Sequence, residues 1–327
     1  MKKFGLIGWP IAHSLSPLLF RAGYHTDGNR SGYVPARQEE WMYDLIEGDD
    51  FGQSWQKFLD GYDGINVTAP FKEQAFAEAD LIDPVCRQIG ATNLTVKTSE
   101  GIKAYNTDYY GILLSILEEM DRQEGSGLPR NEGQYHGIKA RPSVEECRKS
   151  MKGRLHSALV VGCGGAGKAA AVAAGSLGLD TILMNRTEAR AEAIADALPE
   201  YRFRVRPLSD FKDCFAAADL ILYTLPAPIP DIGSLTDRDF APARHASAMQ
   251  TGDDYTEHVT ANRKILLEAN YRNPSFPAEM TGRQRSLHKG FAYIPGIRWL
   301  LYQAYAGYDL FTGRQPDLVS MENAVTE

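Results

Sequence analysis

A short apolar run, Ile65-Asn-Val-Thr68, leads into Ala69-Pro-Phe-Lys72, which sets a lysine just past a strand end in a loop broken by proline. Most lysines are solvated surface charges, but one delivered to such a loop can hold an ammonium against a reacting atom and supply a proton. Three further stretches carry residue types that could work with it. Gly8-Trp-Pro-Ile-Ala-His-Ser-Leu-Ser-Pro17 brings two hydroxyls, Ser14 and Ser16; Tyr105-Asn-Thr-Asp108 brings a carboxylate; and Gly162-Cys-Gly-Gly-Ala-Gly167 is rich in glycine. The last has the GxGxxG spacing. Glycine at Gly162, Gly164 and Gly167, with Gly165 and Ala166 completing the turn, lets backbone amides approach a pyrophosphate at a helix N-terminus. The same stretch nearly spells GxxxxGK, but Ala169 stands where a P-loop needs a hydroxyl for magnesium. The structural alternative is that these glycines serve only a tight strand-to-helix turn.

Which dinucleotide would bind is decided at the end of the next strand, where NAD binders place a carboxylate for the ribose 2′-hydroxyl. Here the chain reads Asn185-Arg186-Thr187. The planar guanidinium of Arg186 suits a 2′-phosphate, which favours NADP. Glu188, one residue on, keeps NAD open, and Arg186 with Arg190 can also be read as a solvated helix face.

These residues need elements to position them. Phe4–Gly8 reads as a buried strand, with a helix from Pro17 to Ala22 capped by Ser16. Ile65–Thr68 reads as a second strand, Lys72–Ala79 as a helix and Gly90–Val96 as a third strand. Ala158–Val161, the glycine turn, an alanine-rich helix over Lys168–Leu177 and a strand at Thr181–Met184 make one βαβ unit. Leu220–Tyr223 and Lys264–Leu267 extend that sheet, and Trp299–Phe311 reads as an aromatic-rich helix. Strands alternating with helices predict an α/β protein with open parallel or mixed sheets.

The chain has 327 residues, of which 43% are hydrophobic and 24% charged, with a net charge of −7. Length and composition predict two soluble globular domains. An acidic chain argues against nucleic acid as a partner, since phosphate binding needs a basic face. Cys86, Cys147, Cys163 and Cys214 are far apart, without the spacing of a zinc site or a disulfide framework. No metal is expected. The apolar stretch at the N-terminus is too short for a signal-peptide core, and nothing approaches the ~20 apolar residues of a membrane span. Cytoplasm, with no membrane association, is the expected location.

In order and approximate spacing the four stretches resemble the shikimate dehydrogenase family. The resemblance implies an N-terminal open α/β substrate domain, a Rossmann NADP-binding domain and C-terminal helices that return to the first domain. The corresponding boundaries are 1–115 with 291–327, a linker or insertion at 116–152, and 153–290. It implies that Lys72 and Asp108 are the catalytic pair, in Asn-Val-Thr-x-Pro-x-Lys and Tyr-Asn-Thr-Asp. The Lys72 ammonium would supply the proton as 3-dehydroshikimate is reduced with NADPH, and Asp108 would orient it. Ser14 and Ser16 would hold the substrate carboxylate. Asn66, Thr68 and Asn93 would contact ring hydroxyls; for these three, capping of strand ends or turns is the alternative. Gln303, in Gly296-Ile-Arg-Trp-Leu-Leu-Tyr-Gln303, would touch substrate, and Gly296 would sit by the nicotinamide. Tyr271 keeps a phenol in Glu268-Ala-Asn-Tyr271, where the family has Asp-x-x-Tyr.

Other departures are Tyr223-Thr-Leu-Pro226 in place of Asn-Ala-Thr-Pro, the long 121–151 stretch, and Phe20-Arg21 where members often carry histidine. Two other functions remain open from sequence: a quinate/shikimate dehydrogenase that uses NAD, and a non-catalytic dinucleotide or metabolite sensor. A monomer or homodimer is expected.

Overall fold

The computed structural model describes residues 2–26, 41–123, 139–151, 153–243, 264–287 and 290–326. In chain order the N-terminal part forms β1 (Lys2–Gly8), α1 (Ser16–Thr26), β2 (Trp41–Glu47), α2 (Phe51–Gly61), β3 (Gly64–Val67), α3 (Lys72–Ala77), β4 (Leu81–Ile82), α4 (Pro84–Ile89), β5 (Leu94–Thr98), β6 (Gly101–Tyr105) and α5 (Thr107–Gln123). Its strands make one mixed sheet in the order β2-β1-β3-β5-β6-β4, with β5 antiparallel to both neighbours. The run Phe4–Gly8 is buried throughout, as a central strand covered on both faces requires.

The chain continues through α6 (Val144–Met151), β7 (Ser157–Val161), α7 (Gly165–Ser176), β8 (Asp180–Met184), α8 (Glu188–Ala197), β9 (Arg204–Val205), α9 (Phe211–Ala217), β10 (Leu220–Tyr223), β11 (Lys264–Glu268), α10 (Ala278–Leu287) and β12 (Phe291–Ile294). These strands form a second sheet, all parallel, in the order β12-β11-β10-β7-β8-β9. Read in chain order it is the doubly wound 3-2-1-4-5-6 arrangement, whose winding reverses between β7 and β10. Finally α11 (Gly296–Thr312) and α12 (Leu318–Thr326) close the chain.

Two compact units result: Met1–Ser115, Asp121–Ser143 and Ile297–Glu327 form the first, Ile116–Met120 and Val144–Gly296 the second. The C-terminal helices therefore belong with the N-terminal sheet, where Phe311 of α11 stacks on Phe4 of β1 at 4.5 Å between ring centroids. The return starts at Ile297 rather than 291, because β12 continues the parallel ladder of β11, pairing Lys264 with Phe291 through Leu267 with Ile294.

Three local expectations are corrected. Gly90–Asn93 is not strand: Asp83 caps α4 by accepting the Val85 amide at 3.1 Å, Pro84 opens it, and Gly90 ends it in the left-handed region at φ 66°, so β5 begins only at Leu94. Helix occupies both ends of the stretch read as a linker, since Ile112, Ile116 and Met120 bury one face of α5 and Cys147 and Met151 anchor α6. Residues 124–138 of that stretch lie outside the described residues. Nor does Ser16 cap α1: the helix starts at Ser16, and the Ser14 hydroxyl accepts the Ser16 amide at 3.2 Å.

In the second unit, Lys264 opens β11 fully buried. Its ammonium donates to the carbonyls of Phe215, Ala216 and Ala218 at 2.6, 2.9 and 2.7 Å, which uses all three hydrogens at the C-terminal end of α9. Burial pushes this lysine down to about 8, with Asp219 and Asp239 pulling the other way.

Candidate active site

Lys72 is the first residue of α3, and its position follows from how the chain leaves β3. The Thr68 amide donates to the Ile7 carbonyl at 2.9 Å and the Phe71 amide to the Thr68 carbonyl at 3.0 Å, which turns the backbone around Ala69-Pro70; that peptide bond is cis, as is Trp9-Pro10. Phe71 is buried beside Val67 and Ala75, so the side chain of Lys72 is aimed by a packed turn. The Thr92 amide donates to the Lys72 carbonyl at 3.0 Å and fixes the backbone from the other side.

Asp108 approaches from α5. Lys72 Nζ lies 2.5 Å from Asp108 Oδ2, and the two side chains are 14% and 6% exposed. Folding thus unites residues 36 positions apart. Asp108 sits in the first turn of α5, where the helix dipole favours a carboxylate. Removing either partner would leave the other charge poorly solvated, which makes this contact costly to break.

Asn93 organises the surroundings. Its Oδ1 accepts the Thr107 amide at 2.6 Å at the start of α5, and its Nδ2 donates to Thr107 Oγ1 at 2.9 Å and to Gln303 Oε1 at 3.1 Å. Asn66 accepts the Tyr43 hydroxyl at 2.7 Å and donates to the Asn93 carbonyl at 3.2 Å. Asn66, Asn93 and Gln303 therefore form one connected network, and Thr68 and Lys72 flank it in sequence on the exit from β3. Ser14 and Ser16 share a hydrogen bond at 3.1 Å between their hydroxyls. Tyr43, on β2, and Thr107 escaped the sequence reading; the signal for Thr107 was its place directly before Asp108, whereas β2 was not read as a strand.

In the second unit the glycine loop runs from β7 into α7. Gly162 has φ +103°, and a side chain on Gly167 would begin 1.9 Å from the Gly162 carbonyl, so only glycine closes this turn. Gly164 is the N-cap of α7 and has no side chain to satisfy the first amides of the helix; Gly165 and Ala166 follow in its first turn. Space is open where a Cβ on Gly164 would stand. These features fit a pyrophosphate lodged against the helix N-terminus. Asn185 braces the loop, accepting the Cys163 amide at 3.1 Å and donating to the Thr187 carbonyl at 2.9 Å, while Arg186 and Thr187 are exposed beyond β8. Thr224, within the departing 223–226 segment, donates to the Val161 and Gly162 carbonyls, both at 3.1 Å, and so pins the loop from β10.

Gly296 starts α11, where a Cβ would meet the Ala269 carbonyl at 2.5 Å. Glu268 is buried and accepts the amides of Ser275 and Phe276 and the hydroxyl of Tyr293, so the longer acid is fully used inside its own unit. Tyr271 is half-buried just after β11, in the second unit and apart in the chain from the Lys72 pair. Among the described residues no His, Cys, Asp and Glu cluster could hold a metal ion, and no helix is long and apolar enough to cross a membrane.

Two family descriptions match this chain: a shikimate dehydrogenase substrate binding domain over residues 6–95 and a shikimate/quinate 5-dehydrogenase domain over residues 146–246, together more than half its length. The chain belongs to the shikimate dehydrogenase family. Two relatives match over nearly the whole chain. The shikimate dehydrogenase (NADP+) of Haloarcula marismortui is 28% identical over 100% of this chain and 99% of its own, and that of Rubrobacter xylanophilus 29% identical over 98% and 94%. The solved shikimate dehydrogenase of Mycobacterium tuberculosis superposes with a TM-score of 0.69 at 25% identity, covering 100% of this chain and 99% of its own. The first family description spans Ser14, Ser16, Asn66, Thr68, Lys72 and Asn93, and the second spans the glycine loop and Asn185–Thr187; Asp108, Tyr271, Gly296 and Gln303 lie outside both.

Proposed function

We propose that this protein is an NADP-dependent shikimate dehydrogenase that reversibly reduces 3-dehydroshikimate to shikimate in the route to aromatic amino acids. The observation that carries the reading is the Lys72–Asp108 pair, an ammonium held at 2.5 Å by a carboxylate that cannot itself donate when ionised. NADPH, when bound, supplies the hydride. As the substrate ketone oxygen gains charge, Lys72 donates its proton, and Asp108 keeps the ammonium directed and accepts from a neighbouring hydroxyl. In the oxidation direction Lys72 takes the proton back.

Ser14 and Ser16 offer two hydroxyls to the substrate carboxylate. Asn66, Thr68, Asn93 and Gln303 line the ring side, and Tyr271 adds a phenol. The cofactor pyrophosphate rests on Gly162, Gly164, Gly165, Ala166 and Gly167, the 2′-phosphate on Asn185, Arg186 and Thr187, and Gly296 sits by the nicotinamide. Residues 1–115 with the C-terminal helices act as the substrate domain and 153–290 as the dinucleotide domain. The protein works in the cytoplasm as a monomer or homodimer, without a nucleic-acid partner.

The test is initial-rate absorbance at 340 nm with shikimate and quinate, each against NADP and NAD. Turnover confined to shikimate with NADP supports the reading. The family description also names quinate, and Glu188 opens α8 beside Arg186, so turnover of quinate with NAD would replace the reading with the broader enzyme. NADPH binding without turnover of any pair would make the protein a sensor.

A further inference from the structure

The turn that carries the two serines is held from outside by a carboxylate. Glu47 ends β2 directly opposite Gly8 in the parallel ladder, and its Oε1 accepts two amides of the loop leaving β1, Ile11 at 2.9 Å and Ala12 at 3.1 Å. The same turn closes on itself through the Ser14 amide, which donates to the Ile11 carbonyl at 2.8 Å. From Ser14 the order passes to α1 through the Ser16 amide and the hydroxyl–hydroxyl contact.

On its other flank the loop is pressed against the strand exit that leads to Lys72. The Trp9 amide donates to the Ala69 carbonyl at 3.0 Å, and a side chain on Gly8 would begin 2.4 Å from Thr68 Cγ2. The segment from Ile11 to Ser16 therefore hangs between the 68–69 backbone and Glu47. Of these two supports, Glu47 is the one whose side chain hydrogen-bonds the turn.

Two amides on one carboxylate oxygen form charge-assisted hydrogen bonds, stronger and more directional than neutral ones. They fix where the Ile11–Ser14 turn stands, and with it the direction of Ser14 Oγ. An ionised side chain in this position also works against binding of an anion by the neighbouring hydroxyls. The role has a distinguishable signature, because Gln keeps the acceptor and drops the charge.

We propose that Glu47 is a positioning residue of the substrate-carboxylate subsite, setting Ser14 and Ser16 so that their hydroxyls converge on one carboxylate. The inference rests on the reading of those serines given above. It names a specificity element on β2, a strand that holds none of the site residues read from the sequence.

The experiment compares shikimate with its methyl ester, which lacks the charged carboxylate, on the full chain carrying Glu47→Gln, Glu47→Asp or Glu47→Ala. Glu47→Ala and the shorter Glu47→Asp are expected to raise KM for shikimate about tenfold or more, since each withdraws the acceptor from the Ile11 and Ala12 amides. The ester KM, kcat and the NADP KM should stay within about twofold. Glu47→Gln should restore the shikimate KM to near the parent value or below it. Equal loss for acid and ester, or a fall in kcat of the same size, would reduce Glu47 to a purely structural anchor and overturn the proposal.

If Glu47→Ala does not fold, Glu47→Asp carries the same comparison. Should the parent protein bind shikimate without turning it over, the functional reading fails alone, and calorimetric affinities for acid and ester replace KM with the same two outcomes. Absence of shikimate binding by the parent protein would overturn both.

Discussion

At the scale of single residues, the roles proposed for Lys72 and Arg186 separate chemistry from recognition. Lys72→Ala should lower turnover by about 10² or more while shikimate affinity changes by only a small factor, because the proton is given up in the transition state and not in the bound complex. The variant should also melt earlier, since Asp108 is left buried without its partner. Steady-state kinetics with a parallel thermal melt checks both parts, and lost affinity with unchanged turnover would remove Lys72 from the chemistry. Arg186 is exposed beyond β8, where its guanidinium is open to a ligand. Arg186→Ala should weaken NADPH by about tenfold or more and leave NADH nearly unchanged, the difference being one charge-assisted contact to a phosphate. Fluorescence titration with the two reduced cofactors reads this directly, and equal weakening would place the 2′-phosphate elsewhere.

At the scale of elements, the turn between β7 and α7 has no tolerance at Gly167. A Cβ at Gly167 would lie 1.9 Å from the Gly162 carbonyl, which is backbone and cannot swing aside, and Thr224 holds that same carbonyl. Gly167→Ala should therefore abolish measurable NADPH binding and lower the melting temperature, whereas Gly164→Ala, with open space around it, should leave the fold intact and act on cofactor affinity alone. A Gly167→Ala protein with parent stability and affinity would show that the loop relaxes. The serine loop makes the contrast: it is held by hydrogen bonds from neighbouring strands, through Glu47 and the Ala69 carbonyl, rather than by steric exclusion alone.

For the whole molecule, burial of ionisable groups sets an alkaline limit. Burial pushes the thiols of Cys86 and Cys163 up to about 12 and that of Cys147 to about 11, from an ordinary 9.0. It likewise raises the phenols of Tyr110, Tyr223 and Tyr305 from 10.0 to about 12. With folded values above unfolded ones, these six groups contribute stability that is complete below about pH 9 and is lost as pH rises toward 12. Lys264 has the opposite sign: its folded value, about 8, lies below 10.5, so stability grows with pH between those values. One lysine against six groups gives a net loss. The urea midpoint should fall steadily above about pH 9, and a midpoint that held or rose to pH 11 would refute this balance.

Local sequence carried the glycine turn, the strands β1, β3, β7, β8, β10 and β11, and the loops that bear Lys72 and Asp108, because steric freedom at glycine, apolar runs and proline breaks act over a few neighbouring residues. It also held the clues to the α4 boundary: Asp83, Pro84 and Gly90 are cap signals that the apolar continuation into Leu94-Thr-Val96 obscured. Tertiary structure alone decided which side chains meet. The Lys72–Asp108 contact, the reach of Asn93 to Thr107 and, 210 positions on, to Gln303, and the grip of Glu47 on Ile11 and Ala12 all depend on strand order and helix return. Such contacts leave no periodic trace, since each is one pair of polar atoms brought together by the burial of many apolar side chains that are themselves far apart in the chain.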